Sequence, residues 1–202
     1  MTDLALTGSG IDGAAYLHVT GWASHTPRVL NDVVAYWTDY GLGVFAVLMV
    51  AAWWLARGRD AARMARALAA PIVVVAVYAA DTALKDAVRE QRPCQAHPAA
   101  FTVQACPGAG DWSFPSNHAV IAAAAAAVLW SVSRLLGMLA SVATLAMAAS
   151  RVWVGVHYPH DVAAGLLLGV AMAVPLCLAA GRAAPWVERL RASPVRPYVA
   201  RG

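Results

Sequence analysis

Three short groups of residues in this chain carry side chains suited to phosphate chemistry. Lys85 and Arg92 stand seven positions apart. On a helix that is two turns, about 10.5 Å of rise, so both cations are expected to project from one face. Pro115-Ser116-Asn117-His118 lead into an apolar run. A Ser-Asn pair there is an ordinary helix N-cap, but free N–H groups and the positive dipole end of a helix start also bind anions. His118 beside such a place has the chemistry to protonate a leaving oxygen. The third group is Ser150-Arg151, then His157, then Asp161. His157 and Asp161 bracket Pro159, a residue suited to the first turn of a helix, which brings the carboxylate toward the imidazole. An Asp that accepts one ring N–H fixes the tautomer and leaves the other nitrogen as a nucleophile. Singly, each group has a plainer explanation: a snorkelling cation, a cap, a structural histidine. Together they read as a phosphoryl-transfer site.

The elements that must position these residues are membrane helices. Of the 202 residues, 60% are hydrophobic and 13% charged, about half the charged fraction of a soluble domain. Disorder and solvated repeat arrays are thereby excluded. Five apolar segments read as spans, near residues 40–56, from Leu68 through Val77 and beyond, 118–133, 135–150 and 162–181, the second acquiring Asp81, Lys85 and Asp86 before any turn signal while still helical. Residues 11–39 mix aromatic and aliphatic with charged side chains and read as an amphipathic interfacial helix. The expected fold is an all-α integral membrane bundle, with 1–202 as one domain and a basic tail at 182–202. Gly165 and Gly169, at GxxxG spacing, and the alanines of 122–127 permit close helix contact in lipid.

The formal charge of +4 does not point to nucleic acid, because the basic residues fall in separate clusters between apolar runs. Arg57, Arg59, Arg63 and Arg66, then Arg134, then Arg182, Arg189, Arg191, Arg196 and Arg201 fall on one face if there are five spans, which the positive-inside rule makes cytoplasmic. The N-terminal segment, with Asp3, Asp12, Asp32 and Asp39 against Arg28, fits the outer face and shows no basic n-region of a signal peptide. The two connections bearing the phosphate-site residues share that outer face. Their Lys85, Arg89, Arg92 and Arg151 oppose the topological preference, as cations retained for function would. Cys94 and Cys106 lie in one polar, Pro-rich outer stretch, where an oxidising compartment favours a bridge closing a short loop over the site. Cys177 is expected to be buried and unpaired.

In series, Lys85 with Arg92-Pro93, Pro115-Ser116-Asn117-His118, and Ser150-Arg151 with His157 and Asp161 resemble the three-part signature of the type 2 phosphatidic acid phosphatase (PAP2) superfamily, here spanning 85–161. Within it the chain is most similar to bacterial undecaprenyl-diphosphate phosphatases of the BcrC type, on the run Arg151-Val152-Trp153-Val154-Gly155-Val156-His157-Tyr158-Pro159 and on Ser113-Phe114-Pro115-Ser116. The usual second motif has Gly where this chain has Asn117, a residue that tolerates the left-handed conformation better than most.

The resemblance implies a metal-independent lipid phosphatase in a bacterial plasma membrane. His157 attacks the terminal phosphorus to form a phosphohistidine, Asp161 orients it, and His118 protonates the leaving lipid phosphate. Lys85, Arg92 and Arg151, with backbone N–H groups near Ser116 and Asn117, hold the phosphoryl oxygens. No cofactor is expected, and neither an HExxH motif nor a clustered acidic ligand set is visible. The substrate is a membrane lipid phosphate, by this resemblance a polyprenyl diphosphate, with phosphatidylglycerophosphate or phosphatidate as alternatives; the oligomeric state is left open. Arg89, one helical turn from Lys85, is a candidate for a second phosphate, against a plainer role pairing with Asp86. His25, His97 and His160 occupy no motif position and are expected to do no chemistry. A nonenzymatic transporter or lipid-binding protein would explain ionisable groups at depth but not the ordered motifs. A related vanadate-dependent haloperoxidase would be soluble and much larger.

Overall fold

The computed structural model describes residues 8–201; Asp3, counted above in the acidic N-terminal segment, lies outside them. These residues form helices α1 (Ser9–His25), α2 (Arg28–Tyr40), α3 (Leu42–Ala56), α4 (Ala61–Val88), α5 (Pro93–Ala96), α6 (Asn117–Val132), α7 (Arg134–Trp153), α8 (Pro159–Gly181), α9 (Ala184–Arg191) and α10 (Arg196–Val199). The all-α membrane architecture read from the sequence is the one seen. By length and composition α4 continued through α5, α7 and α8 are each long and apolar enough to cross a membrane. α2 and α3 together form a fourth such unit, bent by 49°.

The expected single interfacial helix is instead two. Pro27 has no N–H to donate, and the chain is extended there (φ −53°, ψ 137°) before α2 begins. The third expected span, α6, has 16 residues, about 24 Å of helix, and is the central element. It packs against α3, α4, α7 and α8, and Ala122, Ala124 and Ala125 are wholly buried there. Between helices in lipid no hydrophobic force acts, so association rests on close van der Waals fit. The glycines of α8 supply it. A methyl group on Gly165 would lie 2.8 Å from the Ser116 carbonyl oxygen, and one on Gly169 2.6 Å from that of Val120.

The basic clusters gather at one end of the bundle. Arg201 N–H donates to the Arg57 carbonyl at 3.0 Å, Arg191 Nη2 to that of Arg59 at 2.8 Å, and the Arg57 guanidinium lies 4.1 Å from the Trp54 ring centre. At the opposite end, the 89–116 connection and the 154–158 turn meet the starts of α6 and α8. Cys94 and Cys106 are joined by a disulfide, Cα to Cα 5.8 Å, which constrains the unfolded chain by about 3 kcal/mol for a loop of this size. Cys177 is a buried free thiol.

Candidate active site

The start of α8 brings His157 and Asp161 together. Pro159 takes the first helical position, and the Asp161 side chain turns back to accept the Tyr158 N–H at 2.8 Å, a reciprocal capping arrangement that fixes the carboxylate. The same oxygen, Oδ2, lies 3.3 Å from His157 Nδ1 and accepts a hydrogen bond from the Ser113 hydroxyl. On the far edge of the ring, Arg92 Nη1 is 3.2 Å from His157 Nε2. An arginine only donates, so Nε2 presents its lone pair to Arg92 and the ring proton sits on Nδ1, facing Asp161. Gly155, at φ +87°, gives the turn its left-handed step, and its carbonyl accepts from Tyr16 Oη at 3.1 Å.

His157 is 2% exposed. Its pKa is pushed well below the ordinary imidazole value, first by burial and then by the fields of Arg92, Arg151 and Lys85, with His118 adding to them. The ring is therefore neutral at pH 7, the state a nucleophile needs.

Lys85 and Arg92 do converge, though not by the route expected. α4 ends at Val88, and Arg89 takes a left-handed conformation, φ 54°, so Arg92 lies beyond the helix, in extended backbone. Lys85 Nζ donates to the carbonyls of Trp112 and Ser113 at 2.8 and 3.3 Å. Arg92 donates to the Val156 carbonyl at 2.9 Å and pairs with Asp111 at 2.8 Å. Arg151, from the end of α7, reaches Thr38 Oγ1 of α2 at 3.3 Å and Gln104 Oε1 at 3.5 Å. Arg89 is not brought to this cluster. With the helix ended, its exposed side chain folds back and its Nε donates to the Asp86 carbonyl at 3.0 Å.

The start of α6 also departs from expectation. Ser116 is the N-cap residue, yet its hydroxyl makes no capping bond. Its own N–H is not free either, since it donates to the Asp161 carbonyl at 3.1 Å. Asn117 begins α6 in ordinary helical geometry, so its side chain in place of glycine carries no backbone strain. His118 follows in the first turn, half-buried. Ser116 Oγ, Asn117 Oδ1 and Arg151 Nε are buried without a hydrogen-bond partner among the described residues. Buried polar atoms are otherwise almost always paired. A tetrahedral oxyanion bound here would satisfy the hydroxyl, the guanidinium and, with its amide turned, the asparagine.

Sequence reasoning missed several residues. Ser113 stands in the run Ser113-Phe114-Pro115-Ser116 with nothing local to mark it, and its spacing to Asp161 carries no periodic signal. Glu90, 2% exposed, Asp12 and His160 form a network behind Asp161. His160 Nδ1 is 2.7 Å from Asp12 Oδ1, and Nε2 is 2.9 Å from Glu90 Oε1 and 3.4 Å from Asp161 Oδ1. Glu90, His160 and Asp161 also have the proximity of a metal-ligand group. Both ring nitrogens of His160, however, face carboxylate oxygens, which leaves no lone pair directed at a cation.

The sequence matches the model of the PAP2 superfamily over residues 66–184. It is 29% identical over 147 residues to the undecaprenyl-diphosphatase BcrC of Bacillus subtilis, covering 73% of each chain. It is 41% identical over 96 residues to the decaprenylphosphoryl-5-phosphoribose phosphatase of Mycobacterium tuberculosis, covering 47% of this chain and 50% of that one. Among solved structures, the crystal structure of a transmembrane PAP2 type phosphatidylglycerolphosphate phosphatase from Bacillus subtilis superposes with a TM-score of 0.58 at 20% identity, covering 83% of this chain and 84% of that one.

Proposed function

The chain belongs to the PAP2 superfamily, and on that premise we propose that this multi-pass membrane lipid phosphatase removes the terminal phosphate of a polyprenyl diphosphate of the undecaprenyl-diphosphate type. The observation that carries the reading is the His157 ring, buried and neutral, with Nδ1 on Asp161 and Nε2 directed into a cluster of cations. The similarity to the undecaprenyl-diphosphatase BcrC, over 73% of both chains, supports the choice of substrate.

In the first step His157 Nε2 attacks the terminal phosphorus, displacing Arg92 Nη1 from its lone pair to a phosphoryl oxygen. The P–O bond to the lipid phosphate breaks, and His118, which must enter the step as the imidazolium, supplies the proton that the leaving oxygen takes. Asp161 stabilises the ring as it becomes positively charged. In the second step water attacks the phosphohistidine, His118 takes its proton, and inorganic phosphate leaves with His157 neutral again. Lys85, Arg92 and Arg151, with Ser116 and Asn117, hold the equatorial oxygens, where charge spreads in the transition state. The site end of the bundle faces the extracytoplasmic side and the arginine-rich end with the C-terminus faces the cytoplasm, an assignment supported by the basic clusters and by the disulfide.

A second reading, a polyprenyl-linked monophosphate, is favoured by one observation: Arg89, the candidate cation for a second phosphate, is instead turned onto the Asp86 carbonyl, the plainer of its two roles. The test is phosphate release by the purified protein, in detergent with EDTA, from polyprenyl diphosphate, polyprenyl monophosphate, phosphatidate and phosphatidylglycerophosphate. The diphosphate is expected to give the highest kcat/KM, and His157→Ala to abolish release. Equal release by His157→Ala, or none from any lipid, overturns the reading.

A further inference from the structure

His160, which occupies no motif position, is nonetheless held on both ring nitrogens. Three carboxylates surround it from three parts of the chain: Asp12 from α1, Glu90 from the connection after α4, and Asp161 beside it on α8. Asp12 holds it twice, taking the His160 backbone N–H at 2.7 Å on Oδ2 and the ring Nδ1 at 2.7 Å on Oδ1. That backbone N–H is one of the unpaired donors of a helix start, so α1 supplies the cap of α8. The ring also stacks on Tyr158, centres 5.4 Å apart, and on Phe114 at 6.0 Å. The fit is close at the start of α1 as well. A methyl group on Gly8 would fall 2.3 Å from Glu90 Oε1 and 2.5 Å from His160 Cε1.

A neutral imidazole donates from one nitrogen and accepts at the other. Here both nitrogens meet carboxyl oxygens at hydrogen-bond distance, which, with the carboxylates ionised, only the doubly protonated ring can satisfy. Its positive charge is also what lets three carboxylates share one buried place. Without it Glu90 and Asp161 repel each other, and like charges in a common site drive one of the pair to bind a proton. Asp161 cannot serve His157 in that form.

We propose that His160 is a positioning residue, held as an imidazolium, that keeps Asp161 ionised and aimed at His157 while fastening α1 across the site through Asp12. The nitrogens of His160 make no hydrogen bond to His157 or to the cations assigned to phosphate, so it acts on the nucleophile through Asp161. The proposal rests on the reading of Asp161 as partner of the nucleophile.

The test has two arms. In protein labelled with 15N-histidine, the His160 ring signals, identified by their loss in His160→Gln or their shift in Asp12→Asn, are expected to show both nitrogens protonated at pH 7.5. A neutral tautomer overturns the proposal, and this arm needs no enzyme activity. In the second arm, His160→Gln is expected to lower kcat about 30-fold, the scale of a lost charge-assisted hydrogen bond, with KM nearly unchanged. Adding Glu90→Gln, which removes the charge left uncompensated, is expected to restore at least a third of the wild-type kcat. A merely structural role predicts no such rescue, and a double variant as slow as His160→Gln overturns the proposal. Should the wild-type protein hydrolyse no lipid phosphate, the functional reading fails while the ring signals still decide the state of His160.

Discussion

The sharpest test of the proposed chemistry is Asp161→Asn. The carboxylate oxygen lies 3.3 Å from His157 Nδ1, and both residues are buried. At that distance and an effective dielectric constant of about 20, a unit charge on the ring interacts with the carboxylate by about 5 kcal/mol. If the ring carries between half and all of that charge in the transition state, the loss is about 2.5 to 5 kcal/mol, or roughly 70- to 5,000-fold in kcat. Asparagine keeps the shape, and its carbonyl can still accept from Ser113 and Tyr158, so the bundle should remain folded. KM should hardly move, because Asp161 stands behind the nucleophile and away from the cations assigned to phosphate. The assay is phosphate release from polyprenyl diphosphate by detergent-purified protein, with single-turnover trapping of the acid-labile phosphoenzyme. A folded Asp161→Asn protein retaining kcat within about five-fold would refute the reasoning.

Stability should fall in acid through His157. Its folded pKa lies below that of the unfolded chain, so the unfolded state binds the proton first and stability is lost as pH falls from about 6.5 toward the folded value, by up to about 1.4 kcal/mol per pH unit; thermal unfolding of wild type against His157→Ala across pH 7.5 to 5 should show the steeper loss in wild type. Arg89→Ala should change KM for polyprenyl diphosphate and polyprenyl monophosphate equally and by less than about two-fold, since an exposed side chain on a backbone carbonyl contributes little; a rise confined to the diphosphate would return Arg89 to the site. Gly169→Leu should destabilise the bundle by about 1 to 3 kcal/mol or more, read as a lower unfolding temperature in detergent, because even the first added carbon meets the Val120 carbonyl at 2.6 Å.

Much of the bundle and of its site was legible, and the exceptions share a cause. His157 and Asp161 were placed together from a proline at a helix start, a local signal that the rest of the molecule does not disturb. Lys85 and Arg92 were placed on one helical face, but α4 stops at Val88, and what joins them is a chain reversal that periodicity does not encode. The same stop explains Arg89, whose distance from Lys85 along an ideal helix means nothing past the helix end. Asp12 and His160 are 148 positions apart, and only the packing of α1 across the bundle brings them together. Ser113 reaches Asp161 for the same tertiary reason.

The contact between α6 and α8 has a mechanical consequence. Ser116 N–H is bonded to the Asp161 carbonyl, and below that bond Gly165 and Gly169 set α8 against the backbone of α6. The helix start to which phosphate binding is assigned and the one that carries Asp161 are therefore expected to behave as a single fixed jaw. Under the proposed function, room for the lipid diphosphate is expected to open on the other side, where α1 and the 89–116 connection meet the jaw through side-chain bonds such as Asp12 with His160 and Glu90 with His160, and α2 meets Arg151 through Thr38.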